Sequence, residues 1–75
     1  MEKPKLNFKL IRDYEERRDS LLRDGYQLRH ETMLSDGYVA RLHHMANGND
    51  VVLIARGINL IQKTNRVIVH EAIYV

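Results

Sequence analysis

Histidine, arginine and tyrosine supply the chemistry open to this chain. Histidines stand at positions 30, 43, 44 and 70. If residues 26–34 and 38–45 are paired strands, His30 and His44 share one face, diagonal to each other. Two imidazoles can begin a zinc site, but a structural site wants four N or S ligands and a catalytic site three plus water. The chain has no cysteine, and no carboxylate aligns as a third ligand. Neither a metal nor a cofactor is expected, and the two rings are read as core-border groups bonded to nearby backbone. The opposite face collects Arg29, Arg41 and His43. With Tyr26 or Tyr38 close by, these could hold phosphate or cleave RNA, which needs a general base and a group that stabilises developing charge. Glu31, set opposite Arg41, partly neutralises that patch. Ser20 lies on a helix without a histidine–acid arrangement, so it is not expected to be a nucleophile. Ala46-Asn47-Gly48-Asn49 lacks the lysine and following helix of a phosphate-binding loop.

Few elements are available to position these groups. The chain has 75 residues, one domain, and a domain of this size buries only about 60% of its unfolded surface. Small domains often add disulfides, a metal or an oligomer interface. The lack of cysteine removes the first and fits a reducing, cytoplasmic setting. Twelve Lys and Arg against ten Asp and Glu leave a net charge of +2, which permits nucleic acid without implying it. No apolar run reaches the roughly 18 residues of a membrane span, and the N-terminus lacks the apolar core of a signal peptide.

Residues 1–7 read as a lead-in, with Pro4 breaking any early helix and Asn7 placed to cap the next one. The helix is expected over 8–24. Phe8, Ile11, Tyr14, Leu21 and Leu22 form its apolar stripe, with Leu10 beside it and Arg18 interrupting it. Charged pairs four apart (Arg12 and Glu16, Asp13 and Arg17, Asp19 and Arg23) mark the exposed side. Gly25 ends it. Residues 26–75 form the sheet. A three-residue Ser35-Asp36-Gly37 loop, with Gly37 left-handed, would pair Thr32 with Ala40, His30 with Leu42 and Glu31 with Arg41. Asn47-Gly48 predicts a second hairpin, setting Leu42 opposite Leu53 and Ala40 opposite Ala55. The unbroken apolar run Val51 to Ala55 implies a strand with apolar neighbours on both faces. Gly57 marks a bulge or a turn before Ile58–Ile61, Lys63 to Arg66 a polar turn, and Val67–Val75 the last strand. The expected fold is α+β: one N-terminal helix on an antiparallel β-meander of three long strands, or four, in the order α-β-β-β(-β).

The stretch from Leu21 to Met45 has a helix ending in Asp24-Gly25-Tyr26 and then strands that carry a histidine. It resembles the HicA-type RNase toxins, whose fold is similar to double-stranded-RNA-binding domains. The resemblance implies a catalytic histidine on the sheet. The Gly-Ser-His stretch of that family is absent, since His43 follows Arg41 and Leu42. The chain also ends in a strand where the family adds a second helix. No function is carried over.

One helix covers one sheet face. Val52, Ile54, Ile61, Ile68 and Tyr74 are assigned to the other, and apolar patches of several hundred Å2 usually mark an interface. The sequence therefore predicts a small non-enzymatic interaction or regulatory module, a symmetric homodimer built from the last strand and the outer face of the third. Size and mixed charge fit an accessory protein of a phage or mobile element. The alternative is an RNA-binding protein or small RNase using Arg29, Arg41, His43 and Arg56. A protein partner is favoured over nucleic acid, and no membrane contact is expected.

Overall fold

The computed structural model describes residues 7–74. Most of the expected lead-in, Pro4 included, and Val75 lie outside the described residues. Helix α1 spans Phe8–Arg23. Asn7 caps it as expected, its side-chain oxygen accepting from the Leu10 amide at 3.1 Å. Gly25 follows at φ 104°, and its amide closes the last turn on the Leu22 carbonyl. The buried stripe is Leu10, Tyr14 and Leu21, spaced four and seven apart and so on one side of a helix. This corrects the expected stripe. Leu10 belongs to it and Ile11 is only half-buried, while Phe8 is 85% exposed and Leu22 38%. Among the described residues no helix is long and apolar enough to cross a membrane.

The sheet has five antiparallel strands in sequential order: β1 Tyr26–Leu34, β2 Gly37–His44, β3 Asp50–Arg56, β4 Asn59–Thr64 and β5 Val67–Ile73. The α+β meander is as read, but the strand count is higher. Gly57 and Ile58 form a complete turn, with Arg56 opposite Asn59 and Gly57 at φ 61°. The run after Gly57 is thus a separate strand. Asn65 and Arg66, at φ 48° and 72°, make the next two-residue turn. Two positive φ values are the signature of the type I′ turn, whose twist matches that of the strands it joins.

Both predicted registers shift. β1 and β2 meet at Leu34 and Gly37, so the loop is Ser35-Asp36 alone, and Gly37 does not take a positive φ. A β-bulge then falls between Leu28 and His30. In the second hairpin Leu42 faces Val51 and Ala40 faces Leu53, across a longer loop closed by His44 and Asn49. A one-residue slip moves side chains to the other face, and a two-residue slip does not. Val51, Leu53 and Ala55 consequently stay on the helix side, as expected, and are buried. Glu31 and His30 exchange faces. Glu31 now lies beside Ala40 under the helix, and His30 beside Arg41 on the other side. A second bulge, at Val69 between the pairs Lys63–Ile68 and Gln62–His70, does the same to β5. Tyr74 ends on the helix side, packed against the core.

That core is Leu10, Tyr14 and Leu21 from the helix against Ala40, Leu42, Val51, Leu53, Ala55 and Leu60 from β2, β3 and β4. The helix contacts β1 to β4 and scarcely reaches β5.

Candidate functional site

On the helix side the polar groups are structural. The Tyr14 ring stacks on Tyr38 with centroids 5.2 Å apart. Its hydroxyl donates to Glu31 Oε2 at 2.6 Å, and Arg18 Nη1 donates to the same oxygen at 2.9 Å. The Tyr14 hydrogen bond, helped by Arg18, holds the Glu31 carboxyl below its usual range despite burial. Burial first, and the Glu31 carboxylate second, push the Tyr14 phenol well above its ordinary value. The hydrogen bond to Glu31 likewise raises Arg18. At the other end Tyr74 donates to Asp13 Oδ2 at 2.6 Å, and burial with that bond pushes Tyr74 up to about 12. These groups lock protonation states that favour the fold. None is poised to exchange a proton near neutrality.

The histidines do not assemble. His30 Nε2 meets Thr32 Oγ1 at 2.6 Å on the outer face. His44 stays on the helix side, its Nε2–H donating to the Asp24 carbonyl at 3.1 Å and its ring set edge-on to Tyr26. The expected pairing of His30 with His44 is thus replaced by two separate rings on opposite faces, because the bulge after Leu28 changes the phase of β1. His43 Nδ1 contacts Asp50 Oδ1 at 2.7 Å, a base with its orienting acid, but among the described residues no hydroxyl is hydrogen-bonded to the ring as a nucleophile would be. His70 lines a cleft between the helix and β5 with Asp13, Glu16, Arg17 and Tyr74. Among the described residues no three His, Cys, Asp or Glu are grouped to hold a metal.

The outer face has more to offer. Strand pairing lays its side chains in rows across the strands. One row runs Thr32, Val39, Ile54, Ile61, Glu71. The next runs His30, Arg41, Val52, Lys63, Ile68. Val52, Ile54, Ile61 and Ile68 therefore share this face, and Tyr74, once grouped with them, does not. All four tyrosines belong to the helix side. Of the basic residues singled out from sequence, Arg29 sits at the bulge with Nη2 3.1 Å from Met45 Sδ. With His30, Arg41 and Asp50 it lines a hollow of about 480 Å3. Arg56 stands at the far end of β3, 3.5 Å from Asp36, and does not join the others.

Two basic residues escaped the sequence reading. Lys63 and Arg66 line a shallow groove of about 580 Å3 together with Arg41, Asp50, Val52, Ile54 and Asn65. The signal that could have found them is the turn. Reading Asn65-Arg66 as a type I′ pair makes Thr64 the last residue of β4 and, by alternation, puts Lys63 on the outer face.

No protein-family model, curated protein or solved structure matches this chain.

Proposed function

We propose that this chain is a protein-interaction module that acts as a homodimer, and that the copies meet on the outer side of β4 and β5. One observation carries the reading. The terminal strand is apolar and largely uncovered, with Val67, Ile68, Val69 and Ile73 each 53–65% exposed, and α1 scarcely reaches it. Ile61 and Ile68 on the outer face, with Ile73 beyond Glu71, extend the strand's surface into a patch of the kind that marks an interface. The bulge at Val69 blunts the ladder edge, so face packing rather than strand addition is the contact we favour. A two-fold arrangement pairs the patch with itself.

A second reading, an anionic partner such as RNA, has its own support in the basic groove of Arg41, Lys63 and Arg66. Among the described residues the outer face carries no Phe, Tyr or Trp on which single-stranded bases could stack, and we rank this reading second.

Sedimentation equilibrium at micromolar concentration tests the homodimer. The wild type should sediment as a dimer. Ile68→Lys with Ile73→Lys should give a folded monomer, because both side chains are already exposed in one copy. A monomeric wild type overturns the reading.

A further inference from the structure

Beside the β4–β5 patch, the Arg41–Lys63 groove has a chemistry of its own. Arg41, Val52 and Lys63 are direct neighbours across three strands. Adjacent strands lie about 4.8 Å apart, so the two basic residues stand roughly 10 Å from each other with an apolar side chain between them. Ile54 continues the floor one row along, flanked by Val39 and Ile61. The carboxylate on the groove wall, Asp50, is engaged by His43 at 2.7 Å. The ion pairs among the described residues are Arg18 with Asp19 and Glu31, His43 with Asp50, and Arg56 with Asp36. Arg41, Lys63 and Arg66 take part in none of them.

The backbone at Arg66 points the same way. It holds φ 72°, a left-handed conformation in which the Cβ of any residue but glycine crowds the following carbonyl oxygen. Glycine is the unstrained residue at the second position of a type I′ turn. An arginine held there despite that crowding places its side chain on the groove wall, and backbone strain of this kind is a mark of functional positions.

We propose that this groove docks an acidic amphipathic helix of a partner protein, with Arg41, Lys63 and Arg66 holding its carboxylates and Val52 and Ile54 receiving its apolar stripe. Helix positions i and i+7 are about 10.5 Å apart, which matches the spacing from Arg41 to Lys63. Positions i+3 and i+4 fall between them on the same side, over Val52 and Ile54. The helix would lie across the strands, the common groove mode of peptide recognition. A second copy of this chain is a poor occupant, since it brings the same three cations. The inference rests on reading the chain as an interaction module, but not on its self-association.

The probe is a synthetic, fluorescently labelled helical peptide with Glu at i and i+7 and Leu at i+3 and i+4. A Lys-for-Glu version and a labelled uridine oligonucleotide serve as comparisons. Anisotropy titrations use the full chain. The acidic peptide should bind, and its affinity should fall as salt rises. Arg41→Glu with Lys63→Glu should weaken it at least about tenfold with an unchanged circular dichroism spectrum. Arg66→Gly, which relieves the turn, should weaken it severalfold while raising the melting temperature, a combination that a purely structural role for Arg66 does not give. Equal binding of the acidic and basic peptides, no binding of the acidic one, or an oligonucleotide that binds more tightly and is lost in the double variant would each overturn the proposal. Sedimentation of the same samples separates it from the dimer reading. A monomeric wild type that still binds the peptide removes only the homodimer, and a dimer that ignores the peptide removes only the groove.

Discussion

Replacing Gly37 by alanine should destabilise the domain strongly, although alanine suits its backbone. Gly37 begins β2, with Leu34 opposite on one side and Arg56 on the other. A Cβ added there would lie 1.7 Å from the Ala55 carbonyl oxygen and 2.7 Å from the Ala55 carbonyl carbon. Carbon and a carbonyl oxygen normally stay about 3.3 Å apart or more, so β2 and β3 must separate by roughly 1.6 Å at this corner. Overpacking of this kind costs about 1–3 kcal/mol. Losing one or two ladder bonds adds about 1 kcal/mol each, for a sum of roughly 2–5. A domain of this length is stable by about 4–11 kcal/mol at the usual stability per residue. Each kcal/mol shifts the melting temperature by about 4–8 °C, so the fall should exceed about 8 °C. Gly48→Ala is the control. Gly48 sits at φ 73° with nothing within 4 Å of an added Cβ, so only the left-handed conformation is penalised, at roughly 1–2 kcal/mol. Urea midpoints followed by circular dichroism decide the matter. If Gly37→Ala costs no more than Gly48→Ala, the close approach of Gly37 to Ala55 is not a feature of the folded protein.

Three further outcomes follow from the helix side. Glu31→Gln keeps the bond from Tyr14 but loses the charge that Arg18 meets. The two side chains retain 22% and 29% of their exposure, so the loss at neutral pH should be about 1 kcal/mol. Because folding lowers the Glu31 pKa, its contribution is present above the ordinary value of 4.5 and fades as pH falls through the folded value; denaturation curves of variant and wild type should therefore converge in acid, and a gap independent of pH would contradict the pairing. Gln62 is buried with Oε1 lacking a partner among the described residues. Gln62→Leu should raise stability by about 1 kcal/mol or more, and a lower melting temperature would mean that the oxygen is satisfied. Leu21→Ala should cost about 2–5 kcal/mol and Leu22→Ala less than about 1, a ranking that thermal melts of the two variants can reverse only if the helix is rotated from its observed setting.

The sequence held the elements more firmly than their faces, and the reason is geometric. Asn7, the charged pairs and Gly25 fix the ends of the helix locally, so its span came through nearly intact. The faces of β3 survived a register error because the error was two residues, an even number. The faces of β1 and β5 did not survive, because each contains a bulge. A bulge inserts one unpaired residue and reverses the alternation beyond it. Nothing in the residue types around Arg29 or Val69 announces this. Both are edge strands, exposed enough that either phase places acceptable side chains outward, so the pattern carries little information there. The basic groove was missed for a related reason. Lys63 and Arg66 come beside Arg41 only once β4 is a strand of its own.

One clue to the phase of β1 was nonetheless present. Arg18 stands within the apolar stripe of the helix, where an unpaired charge is costly, so it calls for a carboxylate from the sheet beneath. The acidic residues within the strands are Glu31, Asp50 and Glu71. Asp50 opens β3 at the end away from Arg56, and Glu71 belongs to β5, which the helix scarcely touches. Glu31 is the acid left for Arg18. Placing it under the helix requires β1 to change phase between Leu28, which faces Leu42, and Glu31, which faces Ala40. Leu42 and Ala40 are both buried in the core, two residues apart, whereas Leu28 and Glu31 are three apart, so one extra residue must lie between them. The polar interruption of the helix and the bulge in the strand are thus two consequences of one ion pair.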